Sequence, residues 1–455
     1  MNKDKDAFAL SEVLEYPAEA ETADDDNQKS PGLVDTFLTL MEQYLPALAI
    51  LFFIIGIVGA RQSRAFAYSV NNLMDGFIAS YGYIAPLAIY CILTPSVIKL
   101  FSLSQTRGKS FANYAIRWFV KARIVACLFA AVATAVIFRF PLYVGGSGFF
   151  EAVAESLQSL LWMVTHSSYF YAFYASIITI VISLKYARLA HMLVKGVDLI
   201  EYAGRIIVPF IPLFMLAVGA YITILPEIIE TELGVEVHEA HLGIITFLGL
   251  SFDMSTSWGM IAMYVVGSLI TAVVCGIWHG GLIVLAKMKM PDFSLRKYVR
   301  TYWIKVYPLL WATSSEALAT PLNLYLVKKL CPDIRDEVRQ FVVGTGSFLN
   351  INGTMINVFL MTGLVAKMVG IEISLLQLIL SIPVVFLIGY GVPGIPGELL
   401  LFGGPMVICM GIDQQLSPVF LSLYLGLQIG LPDSFRTVAN STDECLCAII
   451  LDKKY

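Results

Sequence analysis

The sequence predicts an all-α polytopic membrane protein, and three observations support that fold class. Hydrophobic residues make up 58% of the 455 residues and charged residues only 14%, against about a quarter in soluble proteins. The mean hydropathy of +0.75 is more than a soluble fold could keep from water. Apolar stretches of about 20 residues, the length that a membrane helix needs, recur along the chain. A soluble enzyme, a nucleic-acid-binding protein and a disulfide-stapled scaffold are therefore excluded.

Residues 1–35 form an acidic segment that differs in composition from the rest of the chain. Asp and Glu outnumber Lys there, and no long apolar stretch is present. Such a segment cannot bury enough apolar surface to fold by itself. It also lacks the basic start and short apolar core of a signal peptide. We expect a disordered, solvated tail.

Six apolar stretches between residues 42 and 287 are candidate membrane spans. Lys and Arg cluster after the second, fourth and sixth stretches, whereas Glu residues cluster after the fifth. By the positive-inside rule, the basic loops and the N-terminal tail are cytoplasmic. The short loops and the lack of a targeting segment indicate a bacterial inner membrane. The stretches lie at about 42–60, 80–100, 112–138, 168–185, 198–226 and 257–287.

Beyond residue 300 the apolar stretches are interrupted at two places. Residues 312–321 are rich in Ser and Thr, and residues 391–397 are rich in Gly and Pro. Irregular backbone within a bilayer is tolerated only around a buried or watery cavity. A pair of broken segments indicates a transporter site built from inverted repeats.

The last apolar segment has one polar helical face. Asp433, Arg436, Thr437, Asn440 and Glu444 are spaced by three or four residues, so they share that face. Arg can bind a carboxylate through two hydrogen bonds, and Asp433 can accept from a protonated amine, which suits an acidic amino acid. The alternative is that Asp433 and Arg436 only pair with each other to hide two charges in the membrane.

A second polar cluster spans residues 344–354 inside an apolar run. Its glycines, amides and hydroxyl could unwind a helix and free carbonyl oxygens, which are ligands that a sodium ion takes. The alternative is a close helix crossing in which small residues pack and asparagines hydrogen bond across the contact.

Together these segments resemble the dicarboxylate/amino acid:cation symporter family, the glutamate transporter-like proteins, over about residues 40–452. Four motifs occur in the family order. They are Thr313–Pro321 for the first hairpin tip, Asn350–Thr354 for the Asn-Met-Asp-Gly-Thr motif, Gly394–Gly397 for the second hairpin tip, and Asp433–Glu444 in the last helix.

The resemblance implies about eight transmembrane helices plus two re-entrant helical hairpins with inverted repeats. Residues 36–298 would be mainly a scaffold and trimerisation region, with the third and sixth spans contributing to the transport domain. Residues 299–452 would be the core transport domain, which slides through the scaffold of a homotrimer by an elevator mechanism.

The resemblance also implies a substrate site. Arg436 and Thr354 would bind the side-chain carboxylate of the substrate, Asp433 its amino group and Asn440 its main-chain carboxylate. The two hairpin tips and the last helix would complete the site with Ser314, Ser315, Glu316, Ile395, Pro396, Gly397 and Thr437.

A sodium site would comprise Gly346, Asn350, Asn440 and Glu444, and no cofactor other than the coupling ions Na⁺ and/or H⁺ is implied. Asn352 stands where the family has an aspartate that helps hold a second sodium. A neutral amide holds a cation less well than a carboxylate. Together with the apolar, basic stretch at residues 121–126 of the third span, this predicts that the second sodium site is absent or altered.

Glu316 replaces a family serine and leaves three interpretations open. Its carboxyl could move a proton with the substrate, could repel an acidic substrate, or could pair with Arg123 or Lys121 in a structural role. Lys121 and Arg123 are themselves expected to extend to the cytoplasmic surface.

These features predict a multi-pass secondary symporter of glutamate, aspartate or a C4-dicarboxylate, coupled to Na⁺ and/or H⁺, whose partners are substrate, cations and membrane lipid but not nucleic acid. An enzyme is not expected, since no nucleophile, base and orienting group cluster in the sequence. The alternative is a non-transporting substrate sensor or an anion-conducting protein on the same fold, which the altered ion site favours.

Overall fold

The structure is a computed structural model. It describes residues 33–70, scattered positions between 72 and 98, and residues 109–144, 149–183, 185–186, 188–193, 210–232, 244–247, 249–253, 256–344, 346–391, 398–413, 416–428 and 430–454. Residues 1–32 of the predicted tail, and much of the predicted second span, lie outside the described residues.

The N-terminal half is helical at four of the predicted spans, and the span predicted at residues 112–138 forms a long apolar helix. One further helix, α3, was not predicted, because Glu151 and Glu155 interrupt its apolar residues. The helices are α1 Leu33–Gln62, α2 Lys109–Phe138, α3 Phe149–His166, α4 Ser168–Ser183 and α5 Ile211–Glu232.

A short β-hairpin stands between α5 and the next helix. Strands β1 Ile244–Phe247 and β2 Leu250–Asp253 pair antiparallel, with Phe247 opposite Leu250. Gly249 in the turn has φ of +81°, a conformation that favours glycine. The described part of the chain is otherwise helical, so the prediction of a helical protein is confirmed with this small exception.

Helix α6, Ser257–Lys289, begins at a capped residue and ends in basic side chains. The Thr256 hydroxyl accepts a hydrogen bond from the Gly259 amide at 3.1 Å. Lys287 and Lys289 lie in the last turn, where cations complement the helix dipole. Among the described residues, three helices are long and apolar enough to cross a membrane: Phe111–Phe138, Trp258–Lys289 and Asn352–Val369.

The C-terminal region consists of many helices separated by short breaks. A π-helical segment, Val299–Trp303, precedes α8, and 3₁₀ turns occupy Gly389–Gly391 and Glu398–Phe402. The helices are α7 Leu295–Tyr298, α8 Ile304–Thr313, α9 Glu316–Leu330, α10 Asp336–Gly344, α11 Gly346–Leu349, α12 Asn352–Val369, α13 Leu375–Ile388, α14 Gly403–Cys409, α15 Ser417–Gln428 and α16 Leu431–Lys454.

Helices α12 and α16 form the centre of this region. Every residue of α12 except Lys367 is buried. Helix α16 contacts α6, α8, α9, α10 and α12, and α12 also contacts α2. By contrast, α2 and α4 expose large apolar side chains such as Val136 and Ile178, which are 72% and 59% exposed. Such faces suit a lipid environment, whereas the polar side chains gather around α16.

Candidate functional site

The polar residues of α16 meet two other helix ends at the centre of the C-terminal region. The chain turns at Ser314, which has φ of +47°, and α9 begins two residues later. The short helix α11 ends at Leu349, and α12 begins at Asn352. Each break leaves backbone N–H and C=O groups without a partner in their own helix. The side chains of α16 lie against these groups.

Arg436 is completely buried and contacts acidic and hydroxyl groups from three helices. Its Nε donates a hydrogen bond to Asp433 Oδ1 at 2.8 Å, and one terminal nitrogen donates to Thr354 Oγ1 at 3.0 Å. The same terminal nitrogen lies 3.7 Å from Glu316 Oε1. The Asp433–Arg436 pair foreseen from the sequence is therefore formed, but it is one part of a larger cluster.

Asn440 joins the starts of α9 and α12 to α16. Its Oδ1 accepts hydrogen bonds from the Gly353 amide at 2.6 Å and the Thr354 amide at 3.2 Å. Its Nδ2 donates to Glu316 Oε1 and to Thr354 Oγ1, both at 2.8 Å. A Cβ atom at Gly353 would clash with the Arg436 carbonyl oxygen, so only glycine allows this approach.

Glu316 is buried at the first position of α9, where the helix dipole favours a negative charge. The ion pair in the structure joins Glu316 to Arg436, whereas the sequence pointed to Arg123 or Lys121. The reason is positional, because the turn before α9 places this carboxyl over the polar face of α16. Glu316 thus lies inside the predicted substrate site.

The serines of the turn also contact α16. Ser314 Oγ lies 3.1 Å from Ser434 Oγ, and Ser434 Oγ donates to the Trp311 carbonyl at 2.9 Å. Ser315 is buried at 3% exposure. Thr437 Oγ1 donates to the Asp433 carbonyl of its own helix at 2.8 Å.

Glu444 lies one turn beyond Asn440, and among the described residues only one of its two carboxylate oxygens has a hydrogen-bond donor. Oε2 accepts a hydrogen bond from Asn323 Nδ2 at 3.2 Å, whereas buried Oε1 has no hydrogen-bond partner among the described residues. Gly346 packs so closely that a Cβ atom there would clash with this carboxylate. A buried, unpartnered carboxylate oxygen is a suitable cation ligand.

The break between α11 and α12 supplies further oxygens. Asn350 Nδ2 donates to the Asn440 carbonyl at 2.7 Å, and Asn352 Nδ2 donates to Asn350 Oδ1 at 2.7 Å. The buried Asn352 Oδ1 has no hydrogen-bond partner in the described part of the chain. The predicted cation residues Gly346, Asn350, Asn352, Asn440 and Glu444 are thus brought into one connected cluster.

Three predicted substrate residues, Ile395, Pro396 and Gly397, lie outside the described residues. The expectation that Arg123 extends to the membrane surface is wrong. Arg123 is only 1% exposed, because α11 and α13 pack over this face of α2 and supply the Leu349 carbonyl and the Phe386 ring against its side chain. Lys121 on the opposite face of α2 is exposed.

Sequence reasoning missed Asn323, which supports both Glu444 and the neighbouring backbone. Its Nδ2 donates to Ser441 Oγ as well as to Glu444, and its Oδ1 accepts from Tyr302 Oη at 2.7 Å. A signal existed, since Asn323 is seven residues after Glu316 and so lies on the same face of α9.

A second polar network between α6 and α16 was also missed. Asp443 accepts hydrogen bonds from Trp278 Nε1 at 2.9 Å and contacts His279 Nδ1 at 2.6 Å. His279 Nε2 lies 3.0 Å from Tyr298 Oη. Scattered single residues in different apolar stretches gave no sequence signal for this contact.

The fold and the buried cluster define a helical membrane protein with a polar site at helix breaks. Residues 241–454 match the family model for the sodium:dicarboxylate symporter family. The resemblance found in the sequence motifs is thereby confirmed over these residues.

Curated relatives match over a shorter region. The serine/threonine transporter SstT of Campylobacter jejuni subsp. jejuni serotype O:23/36 (strain 81-176) is 30% identical over 142 residues, 31% of this chain and 34% of that protein. The SstT protein of Campylobacter jejuni subsp. doylei (strain ATCC BAA-1458 / RM4099 / 269.97) matches to the same extent. The chain thus spans about a third of the length of these relatives.

Proposed function

We propose that the protein is a sodium-coupled secondary symporter of a small amino acid in the cell membrane. The observation that supports this most directly is the buried cluster of Arg436, Asp433, Asn440 and Glu316 at helix breaks. A buried group of charges in an apolar core is expensive and marks a functional site. Its mixture of acidic, basic and amide groups matches both charged ends of an amino acid.

The cation would bind beside the substrate. Glu444 Oε1 is a buried oxygen without a hydrogen-bond donor among the described residues, and oxygen atoms are the ligands that Na⁺ takes. Asn440 connects the two regions, because its side chain contacts Glu316 and its carbonyl contacts Asn350. Coupling would follow if binding of the cation orders Asn440 for the substrate. The match to the sodium:dicarboxylate symporter family favours sodium over protons.

The substrate we favour is a neutral amino acid with a hydroxyl side chain, such as serine or threonine. One guanidinium, that of Arg436, faces the two carboxylates of Asp433 and Glu316. A further anionic side chain would add negative charge to a cluster that already has an excess of it, in a medium of low dielectric constant. A hydroxyl could instead accept from Arg436 and donate to Glu316. The names of the SstT relatives agree with this choice.

The second candidate is the acidic substrate expected from the sequence, glutamate, aspartate or a C4-dicarboxylate. Arg436 and Thr354 are in contact, as they would be when holding a carboxylate together. An acidic substrate would then have to displace Glu316 from Arg436 or bind with a proton. For either substrate, we also propose a homotrimer with re-entrant hairpins and an elevator movement of residues 299–452, because the family resemblance implies them.

Uptake into proteoliposomes tests the proposal. Purified protein would be reconstituted and supplied with radiolabelled serine, threonine, aspartate or succinate, first with an inward Na⁺ gradient and then with a proton gradient alone. We expect serine or threonine to accumulate with the Na⁺ gradient only. Binding without accumulation would instead support a sensor, and uptake that only equilibrates would support a pore.

Glu316→Gln separates the two substrate candidates. The amide retains an oxygen for Asn440 but removes the negative charge next to Arg436. We expect uptake of aspartate relative to serine to rise about tenfold, since releasing a charged contact is worth about 1.5 kcal/mol. Glu372→Gln, at an exposed loop position, is the matched control. An unchanged ratio in Glu316→Gln would contradict the neutral-substrate assignment.

A further inference from the structure

Arg123 is a buried cation that the proposed substrate site does not use. It lies within Phe111–Phe138, one of the helices long and apolar enough to cross a membrane, and is 1% exposed. Arg117 and Lys121 on the same helix are exposed. Intramembrane charges that point into the protein are costly and indicate function.

The guanidinium of Arg123 contacts both the helix break at residues 349–352 and the end of α13. One terminal nitrogen donates to the Leu349 carbonyl at 3.1 Å. The guanidinium carbon lies 4.1 Å from the ring centre of Tyr390 and 5.6 Å from that of Phe386.

The contact with Leu349 has the character of an ion contact. Leu349 is the last residue of α11, so its carbonyl has no acceptor role within that helix and is available to a cation. Asn352, across the same break, has the buried, unpartnered Oδ1. Carbonyl and amide oxygens at a helix break are the groups that would bind Na⁺.

We propose that Arg123 is a tethered cation that takes the place of a sodium ion at the break of residues 349–352. The fixed charge satisfies the Leu349 carbonyl permanently, and Tyr390 and Phe386 hold the guanidinium by cation–π contact. One fewer Na⁺ therefore binds with each substrate molecule than if the residue were neutral. This inference rests on the proposed sodium-coupled transport.

Arg123→Met is the direct test, because it removes the charge and leaves an apolar side chain of comparable length. In the variant, the oxygens of the break become available to Na⁺. We expect the Hill coefficient for Na⁺ in substrate uptake to rise by up to about one, because the number of bound ions sets its upper limit. The charge moved per substrate molecule, measured by solid-supported membrane electrophysiology, should rise by about one elementary charge, because one more Na⁺ crosses with each substrate molecule.

Two variants serve as controls. Arg123→Lys keeps the charge and should retain the wild-type sodium stoichiometry, although it loses the planar contact with Tyr390. Lys121→Met, at an exposed position of the same helix, should also leave it unchanged. A folded, active Arg123→Met variant with wild-type stoichiometry would overturn the proposal and leave Arg123 a structural residue.

Asn352→Asp decides the question if Arg123→Met does not fold. With the guanidinium in place, the added carboxylate cannot admit a further Na⁺, so the Hill coefficient should stay at the wild-type value. A rise would show that the break is still open to sodium and would contradict the proposal. Wild-type accumulation under a Na⁺ gradient is measured first, so that failure of transport itself is separated from failure of the Arg123 assignment.

Discussion

The last helix, α16, has two polar faces, one after the other along its axis, that differ in the kind of helix they meet. Asp433, Arg436 and Asn440 lie against the first turns of α9 and α12, where Glu316 and Thr354 begin those helices. One turn further along, Asp443 contacts Trp278 and His279 in the interior of the continuous helix α6.

The difference between the faces lies in what remains available for a ligand. At the first turns of α9 and α12, backbone N–H groups have no partner in their own helix, and the side chains there can exchange partners. Along α6 the backbone is already hydrogen bonded, and both oxygens of Asp443 are engaged by side chains. We infer that the first face binds ligands and that the second face holds α6 to α16.

Arg436→Ala should have the largest effect, because it leaves Asp433 and Glu316 buried without their counter-charge. We expect a loss of about 3–5 kcal/mol in the free energy of unfolding, as for other broken buried ion pairs. Substrate uptake should fall by at least about 100-fold, equivalent to one or two charged hydrogen bonds. Uptake in proteoliposomes and thermal unfolding in detergent would measure both.

Arg335→Ala is the control for that variant, since Arg335 pairs with Asp452 at a partly exposed site and Lys453 remains beside the carboxylate. Such pairs contribute at most about 1 kcal/mol, so uptake should be unchanged. Arg436→Lys keeps the charge but loses the fork, and should be intermediate. If Arg436→Ala took up substrate at the wild-type rate, the assignment of this face of α16 to the substrate site would be wrong.

Gly346→Ala should have an intermediate effect that is confined to the cation. The added Cβ atom would press on the Glu444 carboxylate and displace the unpartnered Oε1. We expect the Na⁺ concentration for half-maximal uptake to rise about tenfold, or about 1.4 kcal/mol in binding.

Gly344→Ala, two residues earlier, offers a matched comparison because a Cβ atom there meets nothing within 4 Å. It should leave the Na⁺ dependence unaltered. Equal effects of the two substitutions would mean that α10 and α11 respond to any added methyl group. The assignment of Glu444 as the cation ligand would then be contradicted.

Asp443→Asn should have the smallest effect on transport, because it alters the face that meets α6. Loss of the charged contacts with His279 and Trp278 is expected to lower stability by about 1–3 kcal/mol. The concentrations of substrate and Na⁺ for half-maximal uptake should stay within about threefold of wild type, under 1 kcal/mol. Asp413→Asn, at an exposed helix start, is the control for stability.

A change in Na⁺ or substrate dependence in Asp443→Asn larger than in Gly346→Ala would reverse the comparison. The network of Asp443, His279 and Tyr298 would then belong to the transport machinery. The ordering of the three variants is thus a direct test of the difference between the two faces.

Local patterns in the sequence were sufficient for much of this protein. The apolar stretches marked the helices α2 and α6, because a membrane helix needs only its own residues to satisfy its backbone. The three-and-four spacing placed Asp433, Arg436 and Asn440 on one face, since helical periodicity is a local property. The serines at residues 314 and 315 marked one break, and the glycines and asparagines within residues 344–354 marked another.

Partners from distant parts of the chain were settled only by the tertiary structure. The sequence offered Glu316 a basic partner on α2, but the turn at Ser314 directs its carboxyl to Arg436, 120 residues later. Arg123 was expected at the surface, yet the Phe386 ring of α13 covers it and Leu349 accepts its hydrogen bond. Which charges meet depends on how helices pack, and packing is a long-range property that spacing along one helix does not contain.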